Sequence, residues 1–335
     1  MTSNGPIRIA ATRGGAVESV HSVHAVVAGP NGDATHVFGD PDRVVFPRSS
    51  LKAIQALPLI ESGAADHFVC SPAELALACA SHEGEGFHTD TVTAWLDRIG
   101  LDPEALACGP QWPRRDVDYR EMVLARQEPG RVHNNCSGKH TGMLATALHL
   151  GEAPAGYASR AHNVQKRVFE AVEALSGESL DDAPVGIDGC SAPNPALPIR
   201  SLAVAAARFA EASPERLGHA RADACRRLLN AMVAAPEMVG GTDRFDTDLI
   251  RVYSGRVMSK TGAEGFYMLY LPERRLGIAL KAEDGTPRAS TAAVWSVLER
   301  LGLLDGQAEN ALRHHCRPEI RNCDGLVTGE IVDIS

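Results

Sequence analysis

The sequence predicts an α+β protein: an antiparallel sheet formed from both chain ends and packed with helices, plus a helical region between them. Two observations carry this. Residues 7 to about 46, and again those from about 250 onward, read as short β-type runs broken by turns. The intervening stretch shows helical periodicity and helix punctuation instead. With 335 residues, 44% of them apolar, the chain can bury a sizeable core. The expected organisation is one folded unit over 1–335, with a sheet subdomain from 1–47 and 250–335 and a helical subdomain over 48–249.

The elements follow in order. "IRIAATRGG", "VESVHSVHAVVAG" and "ATHVFGD" form a meander, with the turn "GPNGD" before the third run. After Pro47 the character becomes helical. "SSLKAIQALPLIESG" begins on serines suited to capping and stops at Gly63, and Pro58 predicts a kink or an earlier end. "SPAELALACA" starts with Ser71 as cap, Pro72 at the first helical position and Glu74 completing a capping box. It delivers Ser81-His82-Glu83 at its end. Helices continue through "TVTAWLDRIG", "TGMLATALHLGE", "VQKRVFEAVEALSG", "LPIRSLAVAAARFAEA" and "ERLGHARADACRRLLNAMVAAP". "RVYSGRVMSK", "GFYMLYLP" and "LGIALKAEDG" restore strands, the last two separated by an "ERR" turn. The helix "ASTAAVWSVLERLGLL" and a short β-like tail close the chain.

Composition narrows the function. A net charge of -9 argues against a nucleic-acid partner, which calls for a basic face, and favours a small molecule. No apolar run approaches the ~20 residues of a membrane helix, and Met1-Thr2-Ser3-Asn4-Gly5-Pro6 lacks the pattern of a secretory leader, so a cytoplasmic location without membrane contact is expected. The eight cysteines include no C-x-x-C pair and read as reduced thiols. Cys79 and Cys225 fit small buried hydrophobes in helices, whereas Cys136 and Cys190 lie in polar, Gly- and Asn-rich loops. Of 33 basic side chains only five are lysines, at 52, 139, 166, 260 and 281. Lysine therefore stands out where chemistry needs an amine that can lose its proton, which guanidinium cannot do.

Three of those lysines have suggestive neighbours. Lys139 lies in "HNNCSGKHTGM", which is no phosphate loop: a Walker A motif needs glycine at His133 and a hydroxyl at His140. Ser49 and Lys52 are spaced i, i+3 at a helix start, where a lysine kept neutral could take the serine proton. A capping serine beside a solvated lysine is the alternative. Lys260-Thr261-Gly262 follows a β-type run, and S-x-x-K early with K-T-G late is the layout of penicillin-binding and β-lactamase proteins. No clear S-D-N triplet accompanies it, so penicillin as substrate is not supported.

Five stretches in order, "FPRSSLKAIQALPLIESG", "LALACASHEGE", "HNNCSGKHTGML", "GIDGCSAPNPALPI" and "KTGAEG", resemble the bacterial asparaginase II family, the rhizobial-type L-asparaginases, over roughly residues 7–330. The resemblance implies a fold similar to serine β-lactamases and glutaminases, and a homodimer. It implies hydrolysis of L-asparagine to L-aspartate and ammonia by two Ser-Lys pairs, falling here on Ser49 with Lys52 and on Ser81 with Lys260. It further implies zinc held by Cys136, Lys139 and Cys190, with Asp188 an acidic residue of that site. Arg48 and His140 are candidate substrate contacts. From the residues alone, Cys136 and Lys139 are expected in a loop leading into a helix whose terminus lowers the thiol pKa, and a ligating lysine must be neutral. Rival functions are a related serine amidase acting on glutamine or another small amide, and a zinc-dependent amino-acid-binding protein without turnover.

Overall fold

Twelve strands succeed one another in the computed structural model, which describes residues 5–335; the opening Met1–Asn4, read above as no leader, lies outside the described residues. The strands are β1 (Ile7–Arg13), β2 (Ala16–Ala28), β3 (Ala34–Phe38), β4 (Val44–Val45), β5 (Val185–Ile187), β6 (Pro193–Pro195), β7 (Leu197–Pro198), β8 (Met258–Gly262), β9 (Phe266–Leu271), β10 (Leu276–Ala282), β11 (Glu319–Arg321) and β12 (Val327–Asp333). Eight of them form one sheet in the order β11-β12-β1-β2-β10-β9-β8, with β3 also on β2. Its pairings are antiparallel, and β1 lies between β2 and β12, so the two chain ends are joined in one sheet as expected.

The chain divides into two compact units. The sheet unit comprises the segment ending at Ser50, Ala196–Glu211 and Asp248–Ser335; the helical unit comprises Leu51–Pro195 and Ala212–Thr247. The helix Ile199–Glu211 thus belongs with the sheet, although the sequence reading has 48–249 as one helical region. Its reason is apolar: ten of its thirteen residues are buried, and it packs on β2, β9 and β10. Gly277 of β10 permits this approach, since a Cβ there would lie 2.2 Å from Ala203 O and from Ala207 N. The helix Pro287–Arg300 packs on β1, β2, β10 and β12. All six residues of β9 are buried, the pattern of a strand covered on both faces.

The helical unit follows the punctuation read above, with corrections. "SSLKAIQALPLIESG" is broken into a 3-10 turn Arg48–Leu51 and short helices Lys52–Gln55 and Leu57–Glu61, because Pro58 supplies no N–H and is accommodated at the start of the second helix. The Ser71 capping box forms: Glu74 N–H donates to Ser71 Oγ at 3.3 Å, and Ser71 N–H donates to Glu74 Oε2 at 2.8 Å. The helix Pro72–Ala78 then ends just before Ser81. Residues 251–253, expected in a strand, close the helix Phe245–Tyr253. Among the helices that escaped the sequence reading are Asp116–Leu124 and Gly306–Cys316. Asp116–Leu124 buries none of its residues, so it has no apolar stripe to betray it. Gly306–Cys316, within the expected β-like tail, is capped by Asp305, whose Oδ1 accepts from Ala308 N–H at 2.8 Å. No helix among the described residues is long and apolar enough to cross a membrane.

Candidate functional site

The candidate residues divide between the two units. In the sheet unit, Arg48 and Ser49 sit on the 3-10 turn and are half-buried, and Arg48 holds the left-handed φ of 53°. Such a conformation is costly for a side chain other than glycine and persists only where the surroundings impose it. The turn is held by Ser50, fully buried, whose Oγ donates to Lys260 O at 2.8 Å. Lys260 is itself fully buried in β8, and its Nζ donates to Thr261 O at 3.0 Å. The glycine of K-T-G has a steric reason: a Cβ at Gly262 would lie 2.5 Å from Pro47 O and 2.8 Å from Ser50 Oγ. The triplet is therefore part of the strand rather than a turn beyond it.

In the helical unit, Lys52 is 1% exposed and its amine donates to Ala80 O at 2.5 Å, Ser81 Oγ at 2.9 Å and Asn135 O at 3.3 Å. The resemblance pairs Lys52 with Ser49; within this unit the hydroxyl beside its amine is that of Ser81. Next to Ser81, the buried His82 accepts at Nδ1 from Gly84 N–H (3.1 Å), so its Nε2–H donates to Ser137 Oγ at 2.8 Å. Ser137 donates in turn to Val132 O at 2.9 Å. The Ser81 segment is thus tied to the Cys136 segment. Burial, reinforced by His88 and Lys52, holds the His82 pKa well below its ordinary value. Behind this segment Glu85, 4% exposed, accepts from Thr242 N–H at 2.7 Å and pairs with Arg115.

Cys136, Lys139 and Cys190 come together in the same unit, each at most 4% exposed. Cys136 is the N-terminal cap of the helix Ser137–His149, so Lys139 lies in its first turn rather than in a preceding loop. Gly138 allows this helix to touch its neighbour, since a Cβ there would meet Leu77 O at 2.5 Å. Cys190 arrives on the turn between β5 and β6, closed by Ser191 N–H donating to Asp188 O and Asp188 N–H to Ala192 O. Lys139 Nζ donates to Cys190 Sγ at 3.1 Å. The Cys190 thiol is held far below its ordinary pKa by its hydrogen bond with Cys136, against the opposing effect of burial and with help from the Lys139 charge. Cys136 moves the other way: that same bond and its burial push it up, which reverses the expected lowering by the helix terminus. Burial opposes the charge on Lys139, but Cys190 and Cys136 prevail and raise its pKa. Asp188, half-buried, adds to that attraction.

His140, wholly buried, has Nδ1 2.6 Å from Tyr157 Oη, and burial lowers its pKa. Tyr157 and Asn135 escaped the sequence reading. Asn135 touches Lys52 through its backbone carbonyl, and its Oδ1 lies 2.9 Å from Cys136 Sγ, contacts open to many residues. Tyr157 lies in the loop stretch "APAGYASRAH", where nothing in spacing marks it. A second cluster of donors, Asp248, His314 and His315, lies in the sheet unit, and no sequence signal singled it out.

The donors Cys136, Lys139 and Cys190 fit a thiophilic divalent ion: two sulfurs and an amine, all buried, with one sulfur favoured as thiolate. The buried amine beside a serine hydroxyl is equipment for moving a proton in acyl transfer. These features define an α+β protein with a Ser-Lys pair. The family model described as L-asparaginase II matches residues 9–332, and the chain belongs to that family. No curated protein matches it. Its fold is similar to that of Mglu in its native form in 4.3 M NaCl (16% identity, 86% of this chain and 63% of that one, TM-score 0.46). It is also similar to Bacillus glutaminase in 4.3 M NaCl (12%, 84% and 91%, 0.45) and to D-alanine carboxypeptidase AmpC from Burkholderia cenocepacia (13%, 84% and 93%, 0.41). The chain spans less than two thirds of the Mglu chain.

Proposed function

We propose that the protein hydrolyses L-asparagine to L-aspartate and ammonia through an acyl-enzyme on Ser49. The observation that supports serine-lysine amide hydrolysis most, beside family membership, is the buried Lys52 amine 2.9 Å from Ser81 Oγ; Ser49 as the nucleophile rests on the resemblance. In this reading Ser49 Oγ attacks the side-chain carboxamide carbon while Lys52, as the free amine, takes its proton. The C–N bond breaks as Ser81, with Lys260, passes a proton to the departing nitrogen. Water then cleaves the ester, returning Ser49 and releasing aspartate. Backbone N–H groups beside the nucleophile bind the developing oxyanion. Arg48, Asp188 and His140 are the proposed contacts of the amino acid.

Zinc is part of the proposal. Cys136, Lys139 and Cys190 would hold it, Lys139 as the neutral amine, and its charge would help orient the amino acid. Metal binding by the purified chain, followed by competition with a chelator, tests this without recourse to turnover.

The same 2.9 Å contact favours a second assignment, Ser81 as the nucleophile with Lys52 as its base. Trapping the acyl-enzyme by acid quench and locating the modified serine by peptide mass decides between them: label on the Ser49 peptide supports the first reading, label on Ser81 the second. Side-by-side kcat/KM for asparagine and glutamine sets the substrate, and a glutamine value at least equal to that for asparagine would replace asparaginase with glutaminase. Tight asparagine binding with no ammonia after long incubation would leave a binding protein.

A further inference from the structure

The helix Asp116–Leu124 of the helical unit buries none of its residues. A helix this short is not held by its own propensity in water; in a folded protein an apolar face packed on a neighbour holds it. Here the side turned to the body carries Asp118 and Met122, both half-buried. Arg115, just before the helix, anchors it by pairing with Glu85 and, at 3.4 Å, with Asp118. The opposite side repeats at i, i+3, i+4 and i+7 as Val117, Arg120, Glu121 and Leu124, all exposed. Its apolar members are open to solvent, Leu124 at 84% and Val117 at 47%. The apolar face that should hold the helix therefore points away from the rest of the chain.

The order of the four side chains says what fits that face. Laid antiparallel on itself about a two-fold axis between residues 120 and 121, the ridge sets Val117 of each copy on Leu124 of the other. The same operation sets Arg120 of each copy on Glu121 of the other, so two apolar pairs enclose two opposite-charge pairs. Isologous contacts need this self-complementarity. The ends agree as well: the first turn is acidic, with Asp116 and Asp118, and Arg126 follows the last turn, so unlike charges and opposed helix dipoles meet. A parallel pairing would set Arg120 on Arg120 and Glu121 on Glu121. Anionic lipid or nucleic acid fits poorly, because Asp116, Asp118 and Glu121 outweigh the single Arg120 of the helix.

We propose that the helix Asp116–Leu124 is a self-association surface on which a second copy of this chain docks antiparallel, Val117 on Leu124 and Arg120 on Glu121 across a two-fold axis. A nine-residue helix rises only about 14 Å, short of a standard interface, so the association is weak and concentration-dependent. It is independent of the substrate and of zinc.

Sedimentation velocity of the whole chain between about 1 and 200 µM is expected to show a reversible monomer–dimer equilibrium. Leu124→Glu should weaken it by at least about tenfold, and the exposure of that side chain leaves the fold intact by circular dichroism. Arg120→Glu, which sets like charges across the axis, should weaken it about tenfold. Arg120→Glu/Glu121→Arg restores the pairs in reversed order and should return the equilibrium to within about threefold of wild type. Amide exchange locates the contact: residues 116–124 should exchange more slowly at high than at low concentration in the wild type, and equally at both in Leu124→Glu. A wild type that stays monomeric at about 200 µM, as when a different protein covers the face, would overturn the proposal. So would a dimer of undiminished affinity in Leu124→Glu, which would place the contact elsewhere, or a double variant no tighter than Arg120→Glu.

Discussion

Two three-donor clusters, one in each unit, are opposite in kind. Asp248, His314 and His315 offer familiar metal-ligand types, yet the His314 side chain is 61% exposed and the cluster reads as a brace between helices. His315 Nε2 lies 2.9 Å from Asp248 Oδ2, and Arg251 stands 3.8 Å from the other oxygen. Cys136, Lys139 and Cys190 match no standard ligand spacing, yet all three are buried, and each is pushed far from its ordinary proton affinity. The difference teaches that donor type is a weaker guide than desolvation. Charges kept out of water must act on one another, whereas the trio that His314 opens to solvent is partly screened and needs no further role.

The largest expected effect concerns the buried Lys52 amine in the helical unit. Lys52→Arg keeps the charge but cannot yield a free base, and kcat is expected to fall by about 10²–10⁴-fold in a steady-state ammonia assay. Retained activity would remove Lys52 from proton transfer. Next, Cys190→Ala is expected to weaken zinc binding by more than about 100-fold in chelator competition. Zinc affinity that survives this change but is lost in His314→Ala/His315→Ala would invert the comparison between the clusters.

A smaller effect follows from pH. His82 is held neutral in the fold, while the unfolded chain takes up a proton below about 6.5, so the unfolded state binds more protons and stability rises with pH. Between pH 7.5 and 5.5 the unfolding free energy from urea titration should drop, by at most about 1.4 kcal/mol per pH unit for this group. A flat profile would mean that His82 charges inside the fold. The smallest effect is expected at the partly exposed trio: His314→Ala/His315→Ala should change stability by less than about 1 kcal/mol and leave kcat/KM for asparagine unaltered.

Much of this was legible in the residues, and what was not has physical reasons. The capping box at Ser71 and Glu74 is readable because local chemistry determines it. The closure of both chain ends into one sheet follows from alternating β-type runs. The affiliation of Ile199–Glu211 with the sheet was hidden, since an apolar helix does not declare which surface it covers. Scarce lysines pointed to Lys52, Lys139 and Lys260, all of which are buried. The neighbour of the Lys52 amine was not readable: Ser81 reaches it from a segment 29 residues away. Tyr157 was invisible for the same reason, as only its contacts with His140 and with the N–H of Ala107 mark it.

The central claim is the proposal that Ser49 is the nucleophile that breaks the asparagine side-chain amide. Ammonia release from L-asparagine by the purified chain, wild type against Ser49→Ala, tests it most directly. The expected result is turnover by the wild type and a loss of at least about 10³-fold in kcat in the variant, with its fold intact by circular dichroism. A folded Ser49→Ala protein with full activity, or a wild type that releases no ammonia with or without added zinc, would contradict it.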